Sequence, residues 1–97
     1  MSAQTVSLSL PARLDLKAAA PLRDDLLAVR GAPVTLDGSA VLHLGASGLQ
    51  LLLAAAETWR AEGLDFRIVD PSAAFQEGLR QMGASSSSLA VSGALPQ

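Results

Sequence analysis

Short β-prone segments and helix-periodic segments alternate along this chain, and Gly or Pro marks most of the junctions between them. Val6, Leu8 and Leu10 alternate with Ser7 and Ser9, the period-two pattern of a strand with one buried face, and Pro11 closes it. The residues around Arg13 to Asp15 suit a second short extended piece, which the sequence leaves undecided. From Lys17 to Val29, Leu22, Leu26 and Val29 fall at i, i+4 and i+7, with Arg23, Asp24, Asp25 and Arg30 on other faces. This spacing predicts an amphipathic helix that Gly31 and Pro33 end. Val34 to Asp37 reads as a buried strand.

Val41, Leu42 and Leu44 lead into Gly45-Ala46-Ser47-Gly48, after which Leu49 to Glu62 holds strong helix formers and no breaker until Gly63. Leu64 to Val69 predicts the next strand. Asp70-Pro71-Ser72 has the N-cap and first-turn chemistry of a helix start, with Phe75, Leu79 and Met82 at i, i+4 and i+7 and Gly83 placed to end it. Leu89 to Val91 is either a last short strand or part of a tail over residues 85–97. Strands separated by helices must pair in parallel through crossovers, so the expected fold is α/β, with a mainly parallel or mixed sheet of about four to five strands and about three helices. A chain of 97 residues holds one such core, and residues 1–97 are read as one domain.

Composition narrows the function. The chain is 49% hydrophobic with positive mean hydropathy, unlike a disordered segment, but it has only two Phe, one Trp and no Tyr, so Leu, Val and Ala must fill the core. Seven basic against nine acidic residues leave a net charge of −2 without a basic stripe, which argues against nucleic acid as a partner. The absence of cysteine removes disulfides, thiol catalysis and thiolate metal sites. Met1 to Leu10 lacks a basic, continuously apolar leader, and the run from Leu51 to Ala56 is far too short to span a bilayer. The expectation is a cytoplasmic protein without direct membrane insertion.

Catalytic and cofactor motifs fail on inspection. Gly45-Ala46-Ser47-Gly48-Leu49 puts its second glycine one position early for a nucleophile elbow. His43 is the only histidine, too few for a triad with spare parts or a two-histidine metal site, and it reads as a loop residue beside a helix start. Neither a phosphate-binding loop nor a dinucleotide fingerprint occurs. The reading is therefore no enzyme, no metal and no cofactor. Ser47 stands apart: Ser47-Gly48-Leu49-Gln50 fits a capping box, with the hydroxyl serving the Gln50 amide. The same hydroxyl, beside free amides and the positive end of a helix dipole, is a candidate phosphorylation site that Gly48 leaves little shielded. On the following helix, Leu49, Leu52, Leu53 and Ala56 form the expected core stripe, while Leu51, Ala54 and Ala55 make the first turns apolar nearly all round. That extra apolar surface is either an interface beside Ser47 or is covered by neighbouring helices, with Trp59 as a core or rim anchor.

A strand ending Leu36-Asp37, then Gly45-Ala46-Ser47-Gly48-Leu49 opening a Leu- and Ala-rich helix, then Gly63, a strand and Pro71-Ser72 before the last helix, resembles the STAS domain of bacterial anti-sigma-factor antagonists over nearly the whole chain. The segments Ala46 to Leu52, Thr58-Trp59 and Phe66 to Ser72 look like small stand-alone STAS proteins of bacterial chemotaxis or signalling gene clusters. The resemblance implies a non-catalytic signalling module that binds an anti-sigma, histidine-kinase-like or chemotaxis protein through Gly45, Ala46, Ser47, Gly48, Leu49, Gln50 and Leu51. It also implies phosphorylation of Ser47 by a partner kinase. Gly45 and Ala46 stand where the family usually has aspartate and serine, while Asp37 matches the acidic residue that commonly closes the preceding strand. The other reading that the resemblance allows is a constitutive STAS subunit stabilising a lipid-transport ABC complex.

Overall fold

The computed structural model describes residues 4–84, Leu89 and the backbone of 91–92. The elements run β1 (Val6–Ser9), β2 (Arg13–Leu14), α1 (Leu16–Ala28), β3 (Val34–Asp37), β4 (His43–Leu44), α2 (Ala46–Ala61), β5 (Phe66–Val69), α3 (Ala73–Gln81) and β6 (Val91–Ser92). Four strands form one sheet in the order β1-β3-β5-β6, and β2 and β4 form a separate two-stranded ribbon; every pairing is parallel. The expected α/β architecture with three helices is present, and the choice between a parallel and a mixed sheet falls to parallel.

Register decides which side of the sheet is covered. Leu8, Leu36 and Ile68 stand in line across three strands, as do Val6, Val34 and Phe66. Val34, Leu36, Phe66 and Ile68 are buried, whereas Ser7, Ser9 and Arg67 on the alternate face are exposed. Strands that progress in one direction across a sheet, joined by right-handed crossovers, place their helices on one face. The core beneath those helices is aliphatic, built on Leu22 and Leu26 of α1, Leu49, Leu52 and Ala55 of α2, and Leu79 of α3, with Phe75 and Trp59 as its large aromatics. The Trp59 ring lies 6.0 Å from Phe66, and its indole N–H donates to the Ala32 carbonyl at 2.7 Å, pinning α2 to the turn that follows α1.

The open question at Arg13 is resolved by the ribbon. After Pro11 the chain does not turn back along β1; the Ala12 carbonyl accepts from the amides of Leu42 and His43, and β2 pairs with β4 beyond the carboxyl ends of β1 and β3. Asp15 then caps α1, its carboxylate accepting from the Ala18 amide at 3.1 Å. Pro21 is the sixth residue of α1 and removes the helical donor to the Lys17 carbonyl, a loss taken on the exposed face of the helix.

Four expectations need correction. The last helix starts at Ala73, two residues later than the Asp70-Pro71 pair suggests: Asp70 sits at φ +50, outside the helical region, and Ser72 is the cap. Its hydroxyl accepts from the Phe75 amide and donates to the Val41 carbonyl at 2.6 Å, so one side chain both starts α3 and ties it to the loop before β4. Met82, placed on the core stripe by spacing, is exposed at the C-cap of α3. On α2 the buried stripe is Gly48, Leu49, Leu52, Ala55 and Trp59, rotated from the expected one, so Leu53 and Ala56 are only half-buried. Gly48, expected to leave Ser47 unshielded, is instead packed against Leu14, where a Cβ would lie 2.5 Å from the carbonyl oxygen and 2.8 Å from the side-chain Cβ. At the C-terminus, Leu89 is buried and β6 supplies the last strand at Val91–Ser92, while Ser85 to Ser88 lie outside the described residues.

Two predictions follow from the packing of this corner. Gly48→Ala gains helix propensity of about 1 kcal/mol but forces a methyl into a backbone carbonyl that cannot rotate away, so the net effect is a loss of about 1–3 kcal/mol, read as a lower urea midpoint. The hydrogen bond from the Ala18 amide, aided by Arg13, holds the Asp15 carboxyl below its usual value. Its contribution is therefore complete above the ordinary carboxylate range and is lost as pH falls through the depressed value. Asp15→Asn keeps an acceptor but has no proton to gain, so the unmodified chain should lose more stability than the variant as pH falls through the carboxylate range, read as urea midpoints over a pH series.

Candidate functional site

The first turn of α2 is where the ribbon, the sheet and a helix terminus meet. The Gly45 amide donates to the Leu14 carbonyl at 2.8 Å, which holds Gly45 in extended backbone at φ −96, ψ 172. The first helical hydrogen bond, from the Leu49 amide to the Gly45 carbonyl at 3.0 Å, starts immediately afterwards. Gly45 is thus the N-cap, and no side chain caps the helix.

This geometry overturns the capping box. Ser47 already has helical backbone as the second residue of α2, and a residue inside the helix cannot cap it. The cause lies in the ribbon: because Leu14 captures the Gly45 amide, the helix is initiated two residues earlier than Ser47 would initiate it. The Ser47 side chain is half-buried, and its hydroxyl makes no hydrogen bond among the described residues. The amides of Ala46, Ser47 and Gly48 have no intrahelical acceptor, so the turn carries the positive end of the α2 dipole without a compensating side chain.

The residues singled out for partner binding are brought together in part. Gly45, Ala46, Ser47 and Gln50 lie at the surface of this turn or half-exposed in it, and Leu51 is half-buried one turn along. Gly48 and Leu49 are buried and serve as support. Asp37 does not join the site: its carboxylate accepts from the Ser39 amide at 2.8 Å at the end of β3, and that hydrogen bond lowers its pKa.

The surroundings add residues that spacing did not single out. Arg13 and His43 are cross-strand partners in the ribbon, both exposed; the His43 Nε2 lies 3.4 Å from the position of a Cβ on Gly45, while the Arg13 guanidinium pairs with the Asp15 carboxylate at 3.4 Å. Leu16 and Leu42 are the most exposed large hydrophobic side chains among the described residues, at 76% and 75%. Leu42 precedes β4 and Leu16 opens α1 just after Asp15, whose Cα lies 3.7 Å from the position of a Cβ on Gly45. The one signal for Leu42 in the sequence is its neighbour: once Val41 is buried, the next residue of an extended segment faces outward. The site therefore combines an uncapped helix terminus, the His43 imidazole and the Arg13–Asp15 ion pair, with Leu16 and Leu42 exposed on the adjoining segments. No group of His, Cys, Asp or Glu able to hold a metal is found among the described residues.

No curated protein and no solved structure matches the chain significantly. A family model described as "Mlab, STAS domain" matches residues 1–95. The parallel sheet, the three helices and the Gly45-Ala46-Ser47-Gly48-Leu49 turn at the start of α2 are thereby placed in one family: the chain belongs to the STAS domains.

Proposed function

We propose that this STAS domain is a signalling module that docks onto a histidine-kinase-like anti-sigma or chemotaxis protein through the rim around α2, and that phosphorylation of Ser47 releases it. STAS domains are non-catalytic and act through protein partners, which sets the class of function. The observation that carries the reading is the first turn of α2: a serine hydroxyl with no hydrogen bond among the described residues, on a helix terminus without a capping side chain. A phosphate on Ser47 is tolerated there by the free amides and the dipole, with the His43 imidazole beside Gly45 at the helix start. It places two negative charges where a partner would otherwise meet Leu16, Leu42 and Ala46. Among the described residues no helix is long and apolar enough to cross a membrane, which suits a module that reaches its partner from solution.

The second reading is a constitutive subunit that stabilises a lipid-transport ABC complex. Gly45 favours it. Gly45, two positions before Ser47, carries no carboxylate for a kinase to recognise, and the matched family is of the Mlab type. The same rim serves either role.

Incubation of the chain with ATP and a histidine-kinase-like anti-sigma or chemotaxis protein from its source cell, followed by mass spectrometry, should find a single phosphate on Ser47. Ser47→Asp should bind that protein at least about tenfold more weakly while Ser47→Ala binds normally. Leu42→Ser, at an exposed position, should weaken binding without moving the urea midpoint. An unmodified Ser47 with both serine variants binding like the natural chain removes the switch; co-purification with transporter subunits under those conditions establishes the second reading.

A further inference from the structure

A groove between α1 and α2 lies away from the ribbon. It is lined by Leu26, Leu27, Leu51, Ala54, Thr58 and Trp59, with Arg23 and Arg30 at its edge, and encloses about 170 Å³. Cavities of about 150 Å³ accommodate a benzene ring, so this one suits a single bulky apolar side chain. We infer that the groove is a docking site for an acidic amphipathic helix of a partner protein, seated by one large apolar side chain and oriented by carboxylates on Arg23 and Arg30.

Shape is the first ground. The α1 contribution falls at 23, 26 and 27, with Arg30 just past the helix end, and the α2 contribution at 51, 54, 55 and 58, the i, i+3, i+4, i+7 spacing of one helix face. Leu26, Ala55 and Trp59 belong to the core, while Arg23, Leu27, Leu51, Ala54 and Thr58 are partly buried or exposed along the seam of the two helices. Ala54, Ala55 and Thr58 keep the α2 wall low enough for a third helix to approach. Leu27 is 56% exposed at the opposite wall, a large apolar side chain without a neighbour to cover it among the described residues.

Hydrogen bonding selects the kind of occupant. The backbone groups of both walls are spent within the helices, and the Thr58 hydroxyl donates back to the Ala54 carbonyl at 3.1 Å. The groove has no ladder to offer an extended peptide, whose amides and carbonyls would be buried unpaired. A helix satisfies its own backbone and needs only side-chain partners.

Charge selects the composition. The chain as a whole is acidic, with a net charge of −2, yet the ionisable residues lining the groove are both arginines. Arg23 lies on α1 and Arg30 in the turn just past its C-cap, so each end of this wall carries a cation for carboxylates on a second helix. Arg30 is anchored by Glu62 at 3.2 Å, an exposed pair that a partner carboxylate can share, while Arg23 is in no ion pair among the described residues. A second copy of the chain would bring the same two arginines to a stripe that already carries them, and like charges disfavour that pairing.

Trp59 is the only tryptophan and lines the groove, so its emission reports occupancy directly. The probe is a synthetic amphipathic peptide about 18 residues long, long enough to form a helix on binding, with one Phe at the centre of its apolar face and Glu on its flanks. Its control carries Lys at every Glu position. The acidic peptide should change Trp59 emission saturably and shift the amides of Arg23 to Arg30 and Leu51 to Trp59. The lysine peptide should bind about tenfold more weakly, and the double variant Arg23→Glu/Arg30→Glu should invert that preference. Leu27→Asp, at an exposed position, should abolish the change while the chain stays folded by circular dichroism.

No saturable response, or equal binding of both peptides, overturns the proposal. So does an emission change on concentrating the chain alone, which would mean a second copy, or the same response to laurate, which would mean an acyl carboxylate. Ser47→Ala should bind the acidic peptide normally; the groove and the Ser47 turn then stand or fall separately.

Discussion

The contact between Leu14 and the first turn of α2 is the constraint on which the site depends. The Leu14 carbonyl takes the Gly45 amide, and the same carbonyl and its side chain pack so closely on Gly48 that no Cβ fits. That closeness fixes three things together. The ribbon is seated on the helix, the helix starts at Ala46, and Ser47 enters it without a capping role. A larger residue at position 48 would lift the ribbon from the helix. The His43 side chain would then leave the vicinity of the terminus, because it belongs to the ribbon that Leu14 anchors. The energetic logic is that of a glycine used for close backbone approach, where lost helix propensity is outweighed by packing that no other residue permits.

The rest of the fold holds that corner in place with inexpensive means. With few aromatics, the core relies on aliphatic side chains aligned across the sheet, Val34 with Phe66 and Leu36 with Ile68. Polar demand inside is met locally: the Trp59 indole finds the Ala32 carbonyl, and the Ser72 hydroxyl finds Val41 and the Phe75 amide. Among the described residues no buried side-chain polar atom lacks a partner. Surface ion pairs such as Glu57 with Arg60 and Glu77 with Arg80 are exposed and contribute little. The stable part of the molecule is thus the helix-covered face of the sheet, while the ribbon stands at the carboxyl ends of the strands, the end of a parallel sheet where α/β proteins usually bind.

Much of this was legible in the sequence because periodicity reports burial. Val34-Thr35-Leu36-Asp37 alternates as a strand does, Leu22 and Leu26 mark the buried side of α1, and the crossovers then force parallel pairing. What stayed hidden was set by long-range contact. Ser47 matches a capping box perfectly well by spacing, and only the capture of Gly45 by a residue 31 positions earlier moves the helix start. The same applies to Ser72, whose second partner, Val41, is remote in sequence, and to the rotation of the α2 core stripe toward Trp59. Two-residue strands such as β2 and β4 carry no periodicity at all, so the ribbon and the exposed Leu16 and Leu42 around it could not be placed from spacing.

The central claim is that partners meet this domain at the α2 turn and the ribbon that supports it. Amide hydrogen exchange tests it most directly, with the tagged chain measured alone and in complex with a protein that co-purifies with it from its source cell. The account predicts that new protection falls on Leu14 to Leu16 and Leu42 to Leu51. Protection confined to the uncovered face of the sheet, at Ser7, Thr35 and Arg67, with the α2 turn exchanging as in the free chain, would contradict it.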